Sequence, residues 1–125
     1  MTAAPRQGKI LIVDDDQHCI RVLHSFLIGK GFDVVAVSRS EEAEKSIDCH
    51  RPDLIILDYR MSPLTGKDIL ERLRVRGVET PVVMVSAYKR RDGDLEMKRM
   101  GAIAYLLKPV RPDEMERVLE TVFHT

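Results

Sequence analysis

Cysteine is scarce: Cys19 and Cys49 are the only two in 125 residues. They lack the paired spacing of a zinc site and the density of a disulfide framework, so both are expected to be reduced core or surface thiols. An excess of one charge is also missing. Twenty Lys and Arg balance twenty Asp and Glu, which excludes an overall positive field for holding nucleic acid or an anionic membrane surface. No apolar run is long enough to span a bilayer, and the residues from Met1 to Gly8 contain no apolar stretch of the signal-peptide kind. A soluble, cytoplasmic protein is the expectation. With no linker or low-complexity segment, the length suits a single domain over 1–125, its core about 8–123.

What is present is a regular alternation. Short apolar runs occur at Ile10 to Val13, Val34 to Val37, Leu54 to Leu57, Val82 to Val85 and Ile103 to Leu107. Each reads as a strand buried on both faces. Helical spacing lies between them and is clearest at the end, where Met115, Val118, Leu119 and Val122 fall at i, i+3, i+4 and i+7. Pro112 suits the first turn of that last helix. The first helix presents Ile20, Leu23 and Leu27 and stops between Gly29 and Gly31, while Gly77 and Gly101 stand where the third and fourth helices should end. Strands alternating with helices favour parallel pairing through right-handed crossovers, giving an α/β fold with helices on both faces of one doubly wound sheet.

In such sheets ligands bind beyond the carboxyl ends of the strands. The first strand runs into Asp14-Asp15-Asp16, the third into Asp58, the fourth into Ser86 and the fifth into Lys108-Pro109. One edge would thus gather several carboxylates, a hydroxyl and an ammonium. Clustered carboxylates raise the proton affinity of at least one of them unless a cation intervenes. All-oxygen ligation suits a hard ion, Mg2+ or Mn2+, that also accepts a phosphate oxygen. Asp58 is the candidate nucleophile for an aspartyl phosphate, with Lys108 and the metal neutralising phosphoryl oxygens and Ser86 donating a hydrogen bond. Taken singly these residues have plainer readings: a helix cap for Asp14 to Asp16, a turn residue for Ser86, a solvated charge for Lys108. Their shared edge is what favours the site.

The stretches Lys9-Ile-Leu-Ile-Val-Asp-Asp-Asp16, Leu57-Asp-Tyr-Arg-Met61 with Gly66, Val85-Ser-Ala87 and Tyr105-Leu-Leu-Lys-Pro109 resemble the receiver domain of bacterial response regulators. The likeness covers nearly the whole chain. It implies a flavodoxin-like five-stranded parallel sheet in the order 2-1-3-4-5. It also implies that Asp15 and Asp58 bind the metal directly, that Asp14 acts largely through a metal-bound water, and that the Arg60 backbone carbonyl is a further ligand. Asp16 is then the extra acid that caps the first helix, and the Lys108-Pro109 bond is cis. The implied donor is a sensor histidine kinase or a histidine phosphotransfer protein. The implied response runs from Ser86 to Tyr105 and alters the surface formed by the fourth helix, fifth strand and fifth helix, presented to a downstream partner or output domain. A homodimer that forms on phosphorylation is compatible with it; direct nucleic-acid or membrane binding is not expected. Arg60 and Tyr88, flanking the path of attacking water, are expected to lengthen the life of the phosphoryl group. Gly93 is expected to weaken the fourth helix.

Two departures from the family pattern stand out. Met61-Ser62-Pro63 separates the usual methionine and proline, so this loop is expected to bend differently. Arg111 replaces the capping Asp or Ser before Pro112, which opposes the helix dipole and leaves the fifth helix a poorer first turn. Tyr105 has a plainer reading as a core aromatic. The run Lys89-Arg90-Arg91, with Lys98 and Arg99, reads as a solvated face or as a patch for an acidic partner. His18, His24, His50 and His124 show no ligand spacing. One rival function is a haloacid-dehalogenase-type phosphatase, suggested by the Asp-x-Asp within Asp14 to Asp16. Against it, that enzyme has its nucleophile after the first strand and an acid pair after the lysine, where here Asp113 and Glu114 open a helix. The other rival is a non-phosphorylated pseudo-receiver acting as a binding module.

Overall fold

The computed structural model describes residues 8–88 and 93–123. Five strands and five helices alternate: β1 (Lys9–Val13), α1 (Gln17–Gly29), β2 (Asp33–Val37), α2 (Ala43–His50) after a short 3-10 turn (Ser40–Glu42), β3 (Leu54–Asp58), α3 (Gly66–Val75), β4 (Val82–Ser86), α4 (Gly93–Arg99), β5 (Ala102–Leu107) and α5 (Pro112–Phe123). The strands form one parallel sheet in the order β2-β1-β3-β4-β5. Strand order reverses at β1, and doubly wound sheets receive ligands in the crevice beyond the strand ends at such a point, here those of β1 and β3.

Alternation of side chains along each strand divides the core in two. Leu11, Val13, Ile55, Leu57, Val82 and Met84 face α2, α3 and α4. Ile10, Ile12, Leu54, Ile56, Val83 and Val85 face α1 and α5. The interior strands β1, β3 and β4 are buried almost throughout. The edge strands are not: β2 is half-buried along its length and β5 has exposed residues at Ile103 and Leu107. The expectation of burial on both faces therefore fails for β2 and β5, because an edge strand has a neighbour on one side only. A register shift between Val82 and Val83 further separates Ile103 from the ladder.

Local signals account for most boundaries. Asp16 caps α1, its carboxylate accepting from the amides of His18 and Cys19. Gly31, Gly77 and Gly101 take positive φ after α1, α3 and α4. The Arg111 charge is met by Asp113 at 3.2 Å, and the Arg111 carbonyl accepts the first helical bond, from Met115. Gly93 opens the described part of α4. No helix among the described residues is long and apolar enough to cross a membrane. Lys89, Arg90, Arg91 and His124 lie outside the described residues.

Candidate functional site

The acids at the ends of β1 and β3 meet. Asp14, Asp15 and Asp58 each offer a carboxylate oxygen, and these oxygens lie within 4.8 Å of one another. Asp14 and Asp58 are buried, whereas Asp15 is exposed at the mouth. Main-chain pairing sets their depth. The Asp14 amide donates to the Val37 carbonyl and the Tyr59 amide to the Val85 carbonyl, so both chain segments stay in the ladder as they leave the sheet.

Lys108 reaches in from the far side of β4. Its amide donates to the Ser86 carbonyl at 2.8 Å, and its Nζ lies 2.9 Å from Asp14 Oδ2, 3.1 Å from Asp14 Oδ1 and 3.4 Å from Asp58 Oδ1. The peptide bond between Lys108 and Pro109 is cis, as the resemblance implies, and so is that between Ser62 and Pro63. The ammonium sits astride Asp14 and directs its hydrogen bond at Oδ1, which the Asp16 amide also reaches. Among the described residues Asp14 Oδ2 has no hydrogen-bonding partner, although the charge of Lys108 stands beside it.

One ammonium does not neutralise this cluster. Burial, and then the charge of Asp14, push Asp58 up to about 7 despite the opposing pull of Lys108. Burial disfavours the Lys108 ammonium as well, but the hydrogen bond and charge of Asp14, and then the charge of Asp58, outweigh it and leave the lysine raised. A site short of positive charge, with three carboxylates, an open mouth and a buried oxygen without a hydrogen bond, fits a hard divalent cation. A cavity of about 480 Å³ lined by Asp15, Tyr59, Arg60, Met61, Ser62 and Thr65 opens beside it.

The remaining predicted residues surround this centre. Ser86 is buried, and its Oγ accepts from the Tyr88 amide at 3.2 Å. Tyr105 is half-buried; its hydroxyl donates to the Tyr88 carbonyl at 3.3 Å, and its ring lies tilted 6.3 Å from that of Tyr59. Arg60 and Tyr88 touch each other, the guanidinium carbon 4.6 Å from the ring centre. Tyr88 thus joins Ser86, Tyr105 and Arg60. Gly66, eight residues after Asp58, donates its amide to the Tyr59 carbonyl at 2.8 Å. A side chain there would collide with the Asp58 carbonyl and with Met84 Sδ, which explains glycine at that spacing.

One neighbour was missed by sequence reasoning. Cys19, in the first turn of α1, is half-buried against Asp14; burial, and then a hydrogen bond to Asp14 and its charge, push the thiol up to about 12. With its proton held this tightly, Cys19 stays a thiol. Its position, one turn beyond Asp14 to Asp16 on the capped helix, was the available signal. His18 and His24 are exposed and His50 is half-buried; His18 meets Asp16 through its main-chain amide.

The family model for the response regulator receiver domain matches residues 10–120. The alginate biosynthesis transcriptional regulatory protein AlgB of Pseudomonas aeruginosa is 33% identical over 114 residues, 91% of this chain and 25% of that protein. The alkaline phosphatase synthesis transcriptional regulatory protein PhoP of Bacillus subtilis is 32% identical over 114 residues, 91% of this chain and 48% of that protein. The chain therefore spans a quarter to about half the length of these relatives. The solved receiver domain of Francisella response regulator 1452 superposes with a TM-score of 0.87 at 27% identity, covering 94% of this chain and 97% of that one. Sheet order, acids at the strand ends and similarity over nearly the whole length agree: the chain belongs to the response regulator receiver domains of two-component signalling.

Proposed function

We propose that Asp58 accepts a phosphoryl group from a phosphohistidine of a sensor kinase or phosphotransfer protein. A carboxylate oxygen of Asp58 attacks phosphorus in line as the phosphorus–nitrogen bond breaks; the bonding pair returns to the imidazole, whose nitrogen takes a proton from solvent. Lys108, 3.4 Å from Asp58 Oδ1, takes one oxygen of the transferring group, and Ser86 donates its hydroxyl to another. Held by Asp15, Asp58 and the Arg60 carbonyl, with Asp14 acting through water, Mg2+ or Mn2+ would supply the positive charge that the cluster lacks. Asp58 then enters the reaction ionised and needs no general base.

A phosphoryl group that takes the Ser86 hydroxyl hydrogen draws Oγ toward Asp58 and so pulls on the bond that this oxygen accepts from the Tyr88 amide. Because Tyr88 also holds the Tyr105 hydroxyl, the change passes to β5 and to the surface of α4, β5 and α5. A partner or output domain that prefers one packing of that surface would favour phosphorylation in return. In this reading the chain is one cytoplasmic receiver domain that assists its own phosphorylation and dephosphorylation and does not otherwise act as an enzyme.

The observation that carries the proposal is the convergence of Asp14, Asp15, Asp58 and Lys108 from three strand ends. Incubation with acetyl phosphate and Mg2+ is expected to add one base-labile phosphoryl group per chain, visible by intact mass, and Asp58→Asn to abolish it. Catalytic turnover of a generic phosphomonoester, or labelling that survives Asp58→Asn, would sink the assignment.

A further inference from the structure

The loop from Tyr59 to Thr65 carries the Arg60 carbonyl and is held at several points. Its base is closed by the bond from the Gly66 amide to the Tyr59 carbonyl at 2.8 Å. Met61 is 6% exposed and packs into the core beneath α2 and α3. Thr65 begins α3 through a reciprocal capping box with Asp68. The remaining tether comes from outside the loop. Ser40, 2% exposed in the short turn before α2, accepts the Leu64 amide through its Oγ at 3.1 Å.

Ser40 is itself buried, at the start of the turn that leads into α2. Ala43 and Ile47 of α2 are buried in the same core as Met61. A buried hydroxyl aimed at a main-chain amide 24 residues away sets the height of the loop against that helix. Without the acceptor, Leu64 keeps an unpaired, part-buried N–H or swings outward to meet water. Either outcome shifts the neighbouring carbonyls. Mg2+ demands near-ideal octahedral geometry, so its affinity is sensitive to small displacements of one ligand.

We propose that Ser40 is a positioning residue of the phosphorylation site, acting through Leu64 to keep the Arg60 carbonyl where a divalent ion can use it. The inference rests on the proposed function, since it takes that carbonyl as a ligand. In a loop where Ser62 intervenes between Met61 and Pro63, the hydroxyl supplies an anchor on the far limb.

The test is calorimetric titration of the full chain with MgCl2 at pH 8, comparing wild type, Ser40→Ala and Val118→Ala. Val118 is buried on α5 in the opposite core, beside Ala104 and Leu106 of β5, and its truncation serves as a matched loss of thermal stability. Ser40→Ala is expected to weaken Mg2+ binding by roughly three- to tenfold, somewhat less than loss of a direct outer-shell partner of a ligand. Val118→Ala is expected to lower Tm at least as far while leaving the affinity alone. Unchanged affinity in Ser40→Ala, or an equal loss in Val118→Ala, overturns the positioning role. Absence of Mg2+ binding in the wild type overturns the metal reading as well, and is told apart because it does not depend on Ser40.

Discussion

The Arg60 guanidinium lies 4.6 Å from the Tyr88 ring centre, so two residues that the sequence suggests as separate bulky neighbours of the phosphoryl group would act on its lifetime as one cover. A cation over an aromatic face at an exposed position contributes about 0.5–1 kcal/mol. Removing either partner also loosens the other. Timed release of phosphate should therefore be faster in Arg60→Ala and in Tyr88→Ala, and the double variant should be slower than the product of the two single effects by roughly two- to fivefold. Strictly multiplicative effects, or no acceleration, would show that the two act separately or not at all. The acids, Ser86 and Lys108 were legible beforehand because the end of a strand fixes where a side chain emerges. The stacked pair, the Cys19 contact with Asp14 and the Ser40 tether were not. Each depends on how two segments pack after folding, and residue spacing along the chain does not encode the direction of an exposed arginine or a loop amide.

The elements themselves were easier to read, as glycine, proline and the capping Asp16 mark most of their ends. Exceptions have physical causes. The end of α2 bears no glycine signal, since Arg51 takes the left-handed conformation at φ 47°. An apolar run does not reveal whether a strand is central or at an edge, so it overstates the burial of β2 and β5. Arg74 was overlooked because a lone arginine in a helix reads as solvated. Its guanidinium instead donates to the carbonyls of Val78, Thr80, Met100 and Gly101 at 2.7–3.2 Å, tying α3 to the approach to β4 and to the turn before β5. Burial lowers its proton affinity, so the bonds are made at some desolvation cost. Arg74→Ala should cost about 2–4 kcal/mol in urea denaturation, given the worth of bonds to a charged donor and the carbonyls left without it. Lysine should recover little, as one ammonium cannot reproduce a planar fork over four acceptors. Hydrogen exchange should accelerate first in the two turns around Val78 and Gly101; acceleration spread evenly over the sheet would mean that Arg74 is merely a generic contributor to stability.

Across the whole molecule, the acid cluster links folding to pH and to metal. Asp58 is raised from an ordinary 3.8 to about 7, by burial first and the charge of Asp14 second. A carboxyl group raised on folding favours the folded state most when protonated. Its contribution is full below about pH 4 and is lost as pH climbs through about 7, because ionisation is then easier in the unfolded chain. Without divalent ions, the wild type should lose ground to Asp58→Asn between pH 4 and 8, by roughly several degrees in Tm. Mg2+ should reverse the order. Since a metal ligand must be ionised, binding competes with the proton at Asp58, and the stabilisation given by a fixed excess of Mg2+ should grow from pH 5 to 8 in the wild type. In Asp58→Asn that growth should flatten, because the competing proton is gone. Scans of Tm against pH, with EDTA and with MgCl2, separate the two effects. If the difference between wild type and Asp58→Asn in EDTA stays constant from pH 4 to 8, the strain at Asp58 is relieved within the protein, and the case for a cation as its remedy loses its electrostatic basis.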